Sequence, residues 1–229
     1  MTKKAGLGKE WGMNANPKNI NGVREFFTVS DFANNNAVSQ FSDKYLIERA
    51  NENAKIPPRF ANTRIGDYEL DFNQEGLDFA TKPRNDKIFI LAGTTGTGKS
   101  TFLTAMVHER AIKNLQVGFY FNARRLASMI RASRSFSAKV SEDEILEMFC
   151  TVPFLVYDEL GTSEDSQLEK NFFRTVLACR YDNELPWAVG TNFTPDALRS
   201  FVTLGDSDPI LDRLNSIVEF HALVSESHR

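Results

Sequence analysis

The sequence predicts an α/β fold with a mostly parallel sheet flanked by helices on both faces, and three observations carry that prediction. From Lys87 onward, short apolar runs alternate with helical stretches, the pattern of a chain that crosses repeatedly over a parallel sheet. The first run, residues 87–92, leads directly into Gly93, Thr94, Thr95, Gly96, Thr97, Gly98, Lys99, Ser100 and Thr101, which fit G-x-x-x-x-G-K-[ST]. A second run, residues 154–157, ends in two acids, Asp158 and Glu159.

The elements follow in order. Residues 1–22 are rich in Gly, Asn and Lys without periodicity and read as a flexible arm. Phe26, Phe27, Val29 and Phe32 come next, then Val38, Phe41, Tyr45, Leu46 and Ile47 at roughly helical intervals. They predict one or two short helices, too few to bury a core alone. These helices either pack on the main domain or dock another protein. Pro57-Pro58 marks a boundary, because paired prolines stop a helix and favour extended chain. The chain therefore divides into an N-terminal arm at 1–55, a partner-docking segment on the second alternative, and a nucleotide domain at 56–229. Tyr68, Leu70 and Phe72 wrap the start of that domain, and residues 76–84 read as a connection that includes Lys82-Pro83.

After the glycine loop, residues 102–107 suit a helix packed on a sheet. Strand 117–121 precedes a helix over 123–134. A helix over 142–149 carries three acids in its first turn, where its dipole favours them. Strand 154–157 follows, then a helix over 168–181 and a strand over 187–190. Thr194-Pro195 opens another helix with a capping residue and a proline at the first position. Residues 209–214 form a short helix, and 217–220 a last strand.

Composition narrows the classes. The chain has 229 residues, 41% of them apolar and 19 of them Phe, enough for one full α/β domain and a short extension. A net charge of −3 argues against a broadly basic nucleic-acid surface, though not against a local patch. Cys150 and Cys179 are the only cysteines and lack C-x-x-C spacing, so neither a disulfide framework nor a zinc site is expected. With no apolar run of about 18 residues and no signal-peptide core, the expectation is a soluble, cytoplasmic protein with no membrane partner.

The glycine loop has defined chemistry. Its glycines let successive N–H groups converge on one anion, and the following helix adds the positive end of its dipole. Lys99 would reach the β- and γ-phosphates of a nucleoside triphosphate, and the Ser100 hydroxyl would complete the coordination of Mg²⁺. In a parallel sheet, Asp158 and Glu159 fall at the same rim. Asp158 would hold the metal through water, and Glu159 would take a proton from the attacking water. Asn192, which follows the strand 187–190, could orient that water. Arg213 either forms a surface pair with Asp212 or reaches the γ-phosphate of a neighbouring subunit.

Taken together, the loop, the Asp158-Glu159 strand, Thr191-Asn192 and the 210–214 helix resemble the AAA+ ATPases. Within them the chain is similar to helicase loaders of the DnaC/DnaI type and to the related IstB transposition ATPases. Residues 56–60 and 157–161, Arg180-Tyr181 and residues 226–229 add to the likeness, which covers residues 56–229. The resemblance implies ATP and Mg²⁺, hydrolysis at a site shared between subunits, and self-association through that site. It further implies that a replicative hexameric helicase and single-stranded DNA are partners. DNA contacts would come from the helix after the second strand, here Arg124, Arg125, Arg131, Arg134, Phe136 and Lys139, a segment that otherwise reads as a solvated face. Two readings stand beside a loader: a regulator of a transposase, and a nucleotide-gated DNA-binding adaptor. The chain stops about ten residues after its last strand, so the helical lid common in AAA+ proteins is not expected.

Overall fold

Among the described residues, five strands, β1 (Ile88–Gly93), β2 (Gly118–Asn122), β3 (Phe154–Leu160), β4 (Trp187–Thr191) and β5 (Val218–Leu223), form one sheet in the order β2-β3-β4-β1-β5. Every neighbouring pair is parallel, with Ile88 of β1 opposite Trp187 on one side and Val218 on the other. The computed structural model describes residues 42–67, 70–82, 87–116, 118–205 and 208–223. Readings that fall on residues 1–41, Tyr68, 83–86, Val117 and 224–229 lie outside the described residues.

Side-chain alternation sends successive residues of a strand to opposite faces, and here both faces are covered. Ile88, Ile90, Leu155, Tyr157, Trp187 and Val189 pack with residues of α4 (Leu126–Ser133), α5 (Glu142–Thr151), α6 (Ser166–Asp182), α7 (Pro195–Val202) and α8 (Pro209–Ile217). Phe89, Leu91, Tyr120, Phe154, Val156 and Ala188 face the other way, against Phe102, Leu103 and Met106 of α3 (Lys99–Asn114) and Phe79 of α2 (Asn73–Thr81). The strands read as apolar runs because both sides are buried.

The helices start where local chemistry allows. Ser141 and Glu144 form a reciprocal capping box at the head of α5, satisfying two otherwise orphaned N–H groups. Asp165 accepts from Leu168 N at 2.9 Å to cap α6. Thr194 accepts from Ala197 N at 3.2 Å, with Pro195 first in α7, as expected.

Two readings are corrected. The segment 76–84 is not a plain connection, since α2 occupies Asn73–Thr81. Phe72 before α2 makes no side-chain cap bond, and Gly76 lowers helix propensity, so the sequence carries no start signal. Packing makes the helix instead: a Cβ at Gly76 would sit 2.6 Å from the Phe102 ring. The helix expected over 123–134 divides into a 3₁₀ turn at Ala123–Arg125 and α4. Asn122 sets that break, because its side chain accepts from Arg124 N at 3.1 Å.

Of the segment ahead of Pro57, α1 (Asp43–Ala54) is described, and it is packed on the sheet domain. His108 of α3, fully buried, lies 2.8 Å from Asn51 Oδ1 and 2.7 Å from the Thr63 carbonyl. Asn51 Nδ2 donates to the Ala61 carbonyl at 2.8 Å, and Arg64 pairs with Glu109 at 2.7 Å. For residues 43–54, packing on the domain is what is observed.

Candidate functional site

The loop after β1 turns on Gly96 and Gly98, with φ of 90° and 94°, a region closed to most side chains. Gly98 is the N-cap of α3, so the first N–H groups of a 16-residue helix open onto the loop. Thr97 Oγ1 donates to the Thr94 carbonyl at 2.9 Å and closes the turn, while Thr94, Thr95 and Gly96 are exposed. Lys99 is buried, its Nζ donating to the Gly93 carbonyl at 2.6 Å, the Thr94 carbonyl at 2.9 Å and Asn192 Oδ1 at 2.9 Å. Burial pulls its ammonium below the ordinary lysine range, and the Asp158 and Glu159 carboxylates oppose that shift.

β4 lies between β3 and β1, so the residue leaving its end emerges between the two strands that carry the loop and the acids. That residue is Asn192. Because Oδ1 accepts from Lys99, the Nδ2 donor is directed elsewhere. Thr191 Oγ1 donates to the Leu160 carbonyl and accepts from Phe193 N, both at 3.1 Å, which fastens this turn to β3.

Asp158 is fully buried on the α3 face of β3. Its Oδ2 accepts from the Tyr120 hydroxyl at 2.7 Å and its Oδ1 from Glu159 N at 2.9 Å. Burial raises its pKa, and hydrogen bonding from the Ser100 and Tyr120 hydroxyls works against the rise. The carboxylate of Asp158 and the hydroxyl of Ser100 are thus adjacent hard-oxygen donors, a set that fits Mg²⁺.

Glu159 departs from strand geometry. Its φ is 61°, and the β3–β4 register shifts between Tyr157 and Leu160. A left-handed conformation costs a non-glycine residue about 1–3 kcal/mol, and a bulge re-aims the side chain. The redirected carboxylate accepts from Asn122 Nδ2 at 2.8 Å and pairs with Arg124 Nε at 2.9 Å. Beneath it, the buried Glu169 accepts from Gly161 N and Ser163 N, both at 3.1 Å, and from the Tyr157 hydroxyl at 3.3 Å. The loop after Glu159 is therefore pinned from below.

Lys99, Ser100, Asp158, Glu159 and Asn192 come together at one rim; Arg213 does not join them. It pairs with Asp182 at 3.4 Å and lies over the Tyr181 ring at 5.1 Å. Asp182 ends α6 just before β4 begins, and α8 runs directly into the start of β5. Arg213 therefore sits toward the amino-terminal rim of the sheet, whereas the glycine loop leaves the carboxyl-terminal rim.

Asp208 fixes the helix that carries Arg213. It caps α8 by accepting from Ile210 N at 3.0 Å, accepts from Leu204 N at 2.7 Å and pairs with Arg174 of α6. Arg174 and these N–H groups hold its carboxyl down to about 2, below the roughly 3.9 of an unfolded aspartate. A depressed folded-state pKa gives stability that is complete above about pH 4 and lost as pH falls through 2. The urea midpoint of the wild-type protein is expected to drop over that window. Asp208→Asn, which retains a good capping side chain, should start lower and lose that part of the pH dependence; a parallel drop in both proteins would refute the assignment.

The residues read as DNA contacts are all exposed. Phe136 is completely exposed, and Arg125 and Lys139 are exposed. Arg131 pairs with Glu164 at 3.0 Å, Arg134 with Glu142 at 2.7 Å, and Arg124 with Glu159. Surface pairs such as Arg131–Glu164 and Arg134–Glu142 are worth about 0–1 kcal/mol.

Sequence reading missed Tyr120, Asn122, Glu169 and Gly190, the last of which packs against Asp158. Asn122 carried one usable signal, a polar residue closing a buried strand at the rim where ligands bind.

Residues 67–229 match the family described as IstB-like ATP binding protein. The chain is 26% identical over 140 residues to the replicative helicase loader DnaI of Bacillus subtilis, covering 61% of this chain and 41% of DnaI. It is 25% identical over 176 residues to the replicative helicase loader DnaC of Escherichia coli K12, covering 73% of this chain and 69% of DnaC. A crystal structure of DnaI superposes with a TM-score of 0.59 at 22% identity, over 76% of this chain and 94% of that one. The likeness of structure concerns the fold. The chain spans less than half the length of the curated DnaI it matches.

Proposed function

The chain belongs to the family of IstB-like ATP-binding proteins, and from its likeness to DnaI and DnaC we propose that it is an ATP-dependent loader of a replicative helicase onto single-stranded DNA. One observation supports an ATPase above all: Lys99 bonds Asn192 across the rim, and the Asp158 and Glu159 carboxylates both lie close enough to act on its ammonium. The loader reading rests on the likeness to DnaI and DnaC.

In this reading the N–H groups of residues 93–101 and the head of α3 hold the triphosphate, and Lys99 neutralises the β- and γ-oxygens. Ser100 and Asp158 would hold Mg²⁺, which supplies charge neutralisation on the phosphates when bound. Glu159 accepts the proton of the attacking water, and Asn192 Nδ2 orients that water. Arg213 reaches the nucleotide of the next subunit, so ATP joins subunits. Arg124, Arg125, Arg131, Arg134 and Lys139 contact DNA phosphates, and Phe136 offers a stacking surface. Residues 1–55 contribute the helicase-docking segment, which α1 anchors to the ATPase domain at 56–229.

Glu159→Gln is expected to bind ATP while hydrolysing it about 10²–10⁴ times more slowly, the usual contribution of a general base. Used as a tagged trap in lysate of the native host, it should retain a hexameric helicase with ATP, and Lys99→Ala should not. The matched family gives a second reading, a regulator of a transposase, and capture of a transposase in place of the helicase would establish it. Unchanged activity in Glu159→Gln together with none in Lys99→Ala would favour the nucleotide-gated adaptor.

A further inference from the structure

β3 lies between β2 and β4, and each of these two neighbours sends one residue toward Asp158 on the face that α3 covers. From β2, the Tyr120 hydroxyl donates to Asp158 Oδ2 at 2.7 Å. From β4, Gly190 contributes space: a Cβ there would lie 2.3 Å from Asp158 Oδ1 and 2.8 Å from Leu103 Cδ1. We propose that Tyr120 and Gly190 are positioning residues that form a two-sided seat, aiming the Asp158 carboxylate at the Mg²⁺ that accompanies a nucleoside triphosphate. The proposal rests on the reading of Asp158 as the metal-side carboxylate.

The residue types are hard to explain otherwise. On the α3 face Tyr120 belongs to a cluster with Phe89, Phe102 and Phe154, so phenylalanine would satisfy the core there, and the hydroxyl appears where it meets Asp158. A buried hydroxyl and a buried carboxylate each need a partner, but a partner alone does not require an open space on the opposite side. Gly190 supplies that space within a fully buried strand, where glycine weakens the strand and offers no side chain to pack. Tyr120 and Glu159 N occupy one lone pair on each oxygen of Asp158, leaving acceptor capacity toward Ser100. A seat that holds the carboxylate from both sides leaves that one direction for a hydrated cation. Partners of metal-binding carboxylates typically alter metal affinity 10–100-fold.

The test uses the full chain and mant-ATP as the fluorescent probe, titrated with Mg²⁺ and separately in EDTA. Tyr120→Phe should raise the Mg²⁺ concentration for half-maximal nucleotide binding about tenfold and leave the EDTA affinity unchanged. Gly190→Ala should do the same or more; if that variant does not fold, Tyr120→Phe decides. Asp158→Asn is the reference and should abolish the Mg²⁺ enhancement. If Asp158→Asn loses it while Tyr120→Phe keeps the wild-type Mg²⁺ dependence, the seat is refuted and the reading of Asp158 stands. Wild-type Mg²⁺ dependence in Asp158→Asn overturns that reading and the seat with it. An equal fall in affinity with and without Mg²⁺ in Tyr120→Phe would mean general damage to the loop and would also refute the seat.

Discussion

Arg213→Ala is expected to lower ATP turnover on the order of 10³-fold, the lower end of what an arginine acting on the γ-phosphate contributes, while nucleotide affinity stays close to wild type. A 10³-fold change is about 4 kcal/mol of transition-state stabilisation, too much to come from the local partners of Arg213. Asp182 is 61% exposed, and an exposed ion pair contributes about 0.2–1 kcal/mol. The contact over Tyr181 adds about 0.5–1 kcal/mol. Thermal melting should therefore change little, which separates loss of chemistry from loss of fold. The position of Arg213, beside the end of α6 and the start of β5, puts it at the rim opposite its own glycine loop. If it acts on nucleotide, it acts on a neighbour's. Mixing Arg213→Ala with Lys99→Ala should then restore turnover that neither has alone, since one variant supplies the intact loop and the other the arginine. Full turnover in Arg213→Ala alone, or no rescue on mixing, would sink the trans assignment.

What the sequence disclosed here follows from how its information is laid out. The glycine loop was legible because its chemistry demands fixed residue types at fixed spacing along the chain. The strands were legible because both faces are buried, so Ile88 to Ala92 and Phe154 to Tyr157 read as continuous apolar runs. Asp158, Glu159 and Asn192 could be placed at one rim because parallel strands share that rim. Tyr120 and Gly190 could not be assigned, since their relation to Asp158 depends on which strands are adjacent. They lie 38 residues before it and 32 after it in the chain. Asn122 and Glu169 were missed for the same reason: each acts through space on the turn at Glu159. α2 was missed for the opposite reason, since packing on Phe102 creates a helix that its own sequence does not announce.

The same distinction between local signal and spatial consequence makes Arg180 the residue whose loss should damage the fold most. It was read only as part of a dipeptide before β4, yet its side chain is fully buried. Its Nη1 donates to the Phe149 carbonyl at 2.8 Å and the Val152 carbonyl at 2.9 Å, and its Nη2 to the Pro186 carbonyl at 2.6 Å. One guanidinium thus joins the end of α5 to the approach to β4, at the rim away from the nucleotide site. Burial pushes its pKa down to about 9, so it is charged at neutral pH with carbonyl oxygens as its acceptors. Arg180→Ala removes those donors and opens a cavity, and each buried carbonyl left without a partner costs about 1–3 kcal/mol. A total loss of about 4 kcal/mol is expected, against the 5–15 kcal/mol that holds a typical domain together. That corresponds to a fall in Tm of about 8–16 °C for a domain of this size. Arg180→Lys keeps the charge but cannot reproduce the planar fork that reaches carbonyls on two segments, so its Tm should fall between those of the other two proteins. An alanine variant that melts within about 3 °C of wild type, equivalent to roughly 1 kcal/mol, would show that the clamp is not what holds this rim together.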